Sequence, residues 1–91
     1  MKIRLLDVAE EELDAAFEWY EAKSPGLGAR FISEVRVAGK MIARYPEAWH
    51  SLGSGARRYR LNRFPYGLIY FIEPTEIVIV AVAHHHRKPG Y

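Results

Sequence analysis

No cysteine occurs anywhere in the 91 residues. That excludes disulfides, thiolate catalysis and every zinc site that needs a sulfur ligand. Long apolar runs are missing too: the longest, residues 77–83, falls far short of the roughly 20 residues that cross a bilayer. Residues 1–6 lead straight into acidic positions and not into an apolar segment, so no secretory leader and a cytoplasmic location are expected. Glycine-rich phosphate loops, GxSxG and HExxH do not occur. Nothing calls for a cofactor, a resident metal or a small-molecule substrate.

What is present is ordinary globular material, 49% apolar and 26% charged, enough for a single domain over 1–91 with a modest core. A fold this small is marginally stable, so a partner that covers its surface contributes to it energetically. Charge is distributed unevenly. Residues 1–49 carry seven basic and nine acidic side chains, whereas residues 50–91 carry six basic, two acidic and all four histidines. A basic face built by the second half suits an acidic protein or a nucleic acid.

The pattern along the chain predicts β-α-α-β-β-β. Lys2-Ile3-Arg4-Leu5-Leu6 alternates like a half-buried strand. Asp7 stands three residues before Glu10, a capping-box-like spacing. Ala9, Leu13, Ala16, Phe17 and Tyr20 then share one helical face, with Glu11, Asp14, Glu18 and Glu21 on another. Ser24-Pro25-Gly26 stops this helix. A second helix is expected over 27–45, with Leu27, Phe31, Val35, Ala38, Ile42 and Tyr45 as its apolar stripe and Arg36, Lys40 and Arg44 as a basic one. The two form an antiparallel hairpin, with opposite charges that can tie them by about 0–1 kcal/mol per exposed pair. Gly39 in mid-helix is tolerable if another element packs closely there. Residues 47–55 read as a loop, and strands are expected over 56–63, 68–72 and 77–83, the last central because both its faces are apolar. The fold class is α+β, a small mixed and mostly antiparallel sheet with the hairpin on one face.

Three features are able to carry chemistry. Arg57, Arg58, Arg60 and Arg63 crowd one strand; Arg58, Arg60 and Asn62 share a face, and guanidinium groups suit phosphate or carboxylate, although charge also keeps a sheet edge soluble. His84-His85-His86-Arg87 follows the last strand. Continued extension puts His84 and His86 on one face and His85 on the other. Histidine acid–base chemistry with arginine on the phosphate and Tyr91 assisting would suit RNA cleavage; a metal pair lacks a third ligand. Trp19 and Trp49 have no obvious core place and would suit a partner's groove, or complete a small core from odd angles.

The stretch from Gly55-Ala56-Arg57-Arg58-Tyr59-Arg60 through Phe64-Pro65-Tyr66-Gly67-Leu68-Ile69-Tyr70, together with Ala81-Val82-Ala83-His84-His85-His86-Arg87-Lys88-Pro89-Gly90-Tyr91, resembles the RelE/ParE toxin superfamily, in its plasmid-stabilisation branch. Trp19-Tyr20 and Ser24-Pro25 fit the same branch. The resemblance implies the toxin of a type II toxin–antitoxin pair, neutralised by an acidic antitoxin. Its target would be DNA gyrase, as in ParE-like members, or ribosome-bound mRNA, as in RelE-like endoribonucleases. The nucleases typically carry an arginine just before a Leu-Val-Tyr-like triplet; here Gly67 precedes Leu68-Ile69-Tyr70, which favours gyrase. A nuclease would use Arg58, Arg60, His84, His86 and Tyr91. Target or antitoxin contact is expected from Trp19, Arg57, Arg58, Arg60, Arg63, His85 and Arg87.

Overall fold

The computed structural model describes residues 1–85. His86, Arg87 and Tyr91, all expected at a functional surface, lie outside the described residues. In chain order the elements are β1 (Lys2–Leu5), α1 (Asp7–Lys23), α2 (Leu27–Arg44), β2 (His50–Gly53), β3 (Ala56–Arg60), β4 (Tyr66–Ile72) and β5 (Glu76–His84). The strands form one sheet in the order β1-β5-β4-β3-β2. β1 runs parallel to β5, and the other pairs are antiparallel. The expected α+β architecture is therefore present, and β5 is flanked on both sides.

One strand was hidden in the expected loop. β2 is an edge strand with all four residues exposed, so it lacks the apolar alternation that marks a half-buried strand. Its turn to β3 uses left-handed backbone at Gly53, Ser54 and Gly55, which the Gly-Ser-Gly composition supplies. β3 also ends earlier than expected, at Arg60. Asn62 thus leaves the strand face it was expected to share, and its N–H donates to the Glu34 carboxylate.

The hairpin buries Ala9, Ala16 and Tyr20 of α1 and Phe31, Ala38 and Ile42 of α2 against Leu68, Tyr70, Ile77, Ile79 and Val82 of the sheet. Tyr45, expected on that stripe, is 48% exposed, because it is the cap residue and its backbone has left the helix at φ −133°. Asp7 is not the cap of α1: Leu6 holds that position without a side-chain bond, and Asp7 and Glu10 occupy the first turn, where their charge complements the helix dipole. The close approach in the hairpin falls at Gly28 and not at Gly39. A Cβ on Gly28 would lie 2.8 Å from the Phe17 carbonyl oxygen, whereas one on Gly39 would meet only Ile3 at 3.9 Å.

Glutamates of the hairpin act on backbone groups instead of pairing with the arginines of α2. Glu21 accepts the N–H groups of Gly26 (3.0 Å) and Gly28 (2.9 Å), satisfying donors at a helix start that has no side-chain cap. Glu12 accepts the Val82 N–H at 2.9 Å. That donor needs a partner because the Leu6 N–H to Ile79 carbonyl bond is the last contribution of the β1 edge, and beyond it β5 has only α1 beside it. An Arg4–Glu76 ion pair at 3.1 Å ties β1 to β5 at the sheet edge.

Candidate functional site

Strand alternation splits the arginine run between two faces. Arg57 pairs with Tyr70 and Tyr59 with Leu68, so both point to the hairpin side. There the Arg57 guanidinium donates to the carbonyls of Glu47 (3.1 Å) and Trp49 (2.8 Å), and the Tyr70 hydroxyl donates to the Pro46 carbonyl at 2.6 Å. Together they fasten the α2–β2 connection to the sheet. Burial raises the Tyr70 phenol above its usual pKa, with the nearby Arg57 charge opposing. Arg57 is thus occupied in holding the fold, which its place in an arginine cluster did not reveal. Trp49 is part of the same assembly: it packs edge-on against Tyr59 with ring centroids 4.5 Å apart and joins the core.

Arg58 and Arg60 face the other way, on the side of the sheet opposite the hairpin. Their partners across the register are Ile69 and Gly67 on β4, which in turn face Ala81 and Ala83 on β5. On the outer side Arg58 pairs with His50 of β2. Gly67 has a steric role here. A Cβ on it would lie 3.1 and 3.2 Å from Cγ and Cδ of Arg58, so the missing side chain makes room for the arginine stem to lie across the middle strand.

His85 belongs to this face. Its N–H donates to the Pro65 carbonyl at 2.8 Å. Burial pushes its imidazole below the usual histidine pKa; the charges of Arg60 and, less strongly, Arg58 add to that, and a backbone hydrogen bond with Tyr66 opposes them. His84 points to the other side, with its ring 5.1 Å from that of Tyr66. The structure therefore brings His85 to Arg58 and Arg60, and separates His84 from them. His50 also lies on this face and went unnoticed in the sequence, since only the β2–β3 register places it there.

Arg63 sits in neither set. Its N–H and that of Asn62 donate to Glu34 of α2, and its side chain helps line a groove of about 550 Å³ with Leu27, Ala29, Arg30, Val37 and Phe64. Trp19 is 57% exposed, with Lys23 Nζ 4.6 Å from its ring centroid. Among the described residues no group of three His, Asp or Glu is placed to hold a metal, and no helix is long and apolar enough to cross a membrane.

These features define a small α+β protein with one face of its sheet closed by a helical hairpin and the other bearing arginine and histidine. The model of the ParE toxin of type II parDE toxin–antitoxin systems matches residues 3–89, and the chain belongs to that family. Among solved structures it is similar to the chromosomal ParDE toxin–antitoxin system of P. aeruginosa, with a TM-score of 0.66 at 18% identity over 92% of this chain and 95% of that one. It is also similar to the RelBE2 toxin–antitoxin complex of Mycobacterium tuberculosis, with a TM-score of 0.59 at 22% identity over 91% and 95% of the two chains. No curated protein sequence matches significantly.

Proposed function

We propose that this toxin arrests growth by ParE-like inhibition of DNA gyrase, and that an acidic antitoxin segment lying along the hairpin and over residues 57–63 holds it inactive. Gly67 carries the first part. The middle strand offers no side chain of its own to a phosphate, and the space above it is taken by the stem of Arg58. The groove between α2 and the β3–β4 connection supports the second part, since Arg30 and Arg63 line it together with apolar Leu27, Val37 and Phe64, and the Glu34 carboxylate that also lines it is engaged by the N–H groups of Asn62 and Arg63. Two of the solved structures to which the chain is similar are toxin–antitoxin systems.

The second reading, cleavage of ribosome-bound mRNA, is favoured by one observation: the His85 imidazole lies on the same sheet face as Arg58 and Arg60, a placement that suits proton transfer beside a phosphate held by the arginines. Brief expression in bacteria, with total mRNA and plasmid supercoiling followed in parallel, separates the readings. Relaxed plasmid or trapped DNA breaks with intact mRNA is the outcome expected for gyrase. Rapid mRNA loss with normal supercoiling would sink that reading and promote the nuclease. Growth, mRNA and supercoiling all unchanged would leave a module that only binds its partner.

A further inference from the structure

The outer surface of the hairpin carries two rows of opposite charge that the fold itself does not pair. Glu11, Asp14 and Glu18 are exposed on α1, on the side of the helix opposite the buried Ala9, Ala16 and Tyr20. Arg36, Lys40 and Arg44 are exposed on α2, turned away from the buried Phe31, Ala38 and Ile42. Glu12, Glu21 and Glu34, by contrast, are engaged by backbone N–H groups. None of the six outward charges forms an ion pair among the described residues. Gly28 lies against Phe17 and Glu21, so the second half of α2 runs beside the first half of α1. Glu11 and Asp14 therefore stand roughly level with Lys40 and Arg36. Apolar groups flank the rows. Val8, 51% exposed, precedes Phe17 by nine residues, and Val37, 57% exposed, follows Gly28 by nine. Nine residues are about two and a half turns, so each valine stands on the flank of its helix turned away from the other helix.

We propose that two copies of this chain associate through the outer faces of their hairpins, about a two-fold axis parallel to the helices, with α1 of each copy lying on α2 of the other. A two-fold contact has to be complementary to itself. Rotation about this axis exchanges the two sides of the hairpin and keeps the level along the helices. It brings Glu11 and Asp14 of one copy over the basic row of its partner, near the partner's Lys40 and the partner's Arg36. The same rotation puts Val8 on the edge that carries the partner's Val37. A two-fold axis across the helices would instead set acid on acid and base on base. An acidic antitoxin segment finds its cations along α2 and leaves the α1 row unused; a second copy uses both rows. Helices of 17 and 18 residues are about 26 Å long at ~1.5 Å per residue. Two of them side by side at ~9 Å present about 500 Å². The pair of faces then totals about 1,000 Å², the lower end for a specific interface. The dimer is accordingly weak, and charge complementarity sets its orientation more than its affinity. It is independent of the choice between gyrase and mRNA, and an antitoxin segment along the hairpin would occupy the same surface.

Sedimentation velocity of the purified chain over a concentration series tests it. A monomer–dimer equilibrium that weakens as salt is raised is expected. Glu11→Lys/Asp14→Lys and Arg36→Glu/Lys40→Glu should each lower the association constant by about ten-fold or more, because each leaves like charges on both halves of the contact. Mixed in equal amounts, the two variants should form a heterodimer within about three-fold of the original affinity. Glu73→Lys/Thr75→Lys, at exposed positions between β4 and β5, changes net charge almost as much and should shift association less than about two-fold. Mixed with Arg36→Glu/Lys40→Glu, it should not restore the dimer. Circular dichroism controls for folding, and Glu11→Gln/Asp14→Asn serves in place of any reversal that unfolds the chain. A chain that stays monomeric at every concentration would overturn the proposal. So would a dimer indifferent to both reversals, or reversed variants that remain monomeric when mixed. An equal loss from Glu73→Lys/Thr75→Lys would overturn the face in favour of net charge, and species growing beyond the dimer would overturn the two-fold arrangement.

Discussion

Arg57 and Arg58 are neighbours in sequence and do opposite things. Arg57 faces the hairpin, where its charge is consumed by two loop carbonyls beside the buried Tyr70. Arg58 faces away from the hairpin, where its Nε has no partner among the described residues. The same division separates His84, which meets the Tyr66 ring edge-on, from His85, which senses Arg60 and Arg58. On the hairpin side the polar groups of Arg57 and Tyr70 are satisfied within the fold, while Trp49 Nε1 is left without a partner among the described residues. On the other side Arg58 Nε and His85 Nε2 have none among those residues. Residue type therefore says little here about use; the side of the pleat decides it.

The comparison predicts that substitutions on the hairpin side cost more stability than those of the arginines on the other side. The largest stability effect should come from Phe31→Ala, which empties a fully buried ring site and should cost about 3–5 kcal/mol in urea unfolding. A change on the other side such as Arg60→Gln should stay within about 0.5 kcal/mol in the same assay. Should the two prove similar, the division between faces is wrong. Glu12→Ala comes next. It strips the partly buried Val82 N–H of its acceptor and should cost about 1–3 kcal/mol, with faster hydrogen exchange at Val82 as the local sign.

A smaller effect of opposite sign is expected at Gly39. With only Ile3 near its would-be Cβ, Gly39→Ala should stabilise by about 0.5–1 kcal/mol. Gly28→Ala should destabilise, because its Cβ would collide with backbone of α1; thermal melting of the two variants reads both signs. The smallest effect is a pH dependence. The pKa of His85 is lower in the folded chain than in the unfolded one, so below the ordinary histidine pKa of about 6.5 the unfolded state binds the extra proton. Its contribution to stability is therefore intact at neutral pH and declines as the solution is acidified. His85→Gln should flatten that part of the stability–pH curve. An unchanged curve would mean that His85 is as free in the folded chain as in the unfolded one.

Much of the architecture was legible in periodicity. The stripes of α1 and α2 and the apolar run of β5 are long enough for burial to impose a clear period, and the structure buries most of them, with Phe17 only half-buried outside the core cluster and Tyr45 exposed. β2 was not legible, because an exposed edge strand of His, Ser, Leu and Gly buries nothing and so carries no pattern. The site was legible only in part. The arginines and histidines stand out as residue types, yet the end of β3 at Arg60 removed Asn62 from their face, and the β2–β3 pairing added His50.

By itself, the sequence determined the class of this protein: two amphipathic helices of opposite charge, an apolar interior strand, no cysteine chemistry, and segments that place it in a toxin superfamily. Local pattern suffices for these because helix and strand periods are properties of neighbouring residues. Only the tertiary structure decided that Arg57 fastens the α2–β2 connection while Arg58 turns to the other face, that His85 and not His84 shares that face with Arg58 and Arg60, and that Gly67 makes room for an arginine from the next strand. Those outcomes depend on strand register, on where β3 ends and on contacts between residues far apart in the chain. A shift of one residue would exchange the two faces of a strand, and composition alone does not specify it.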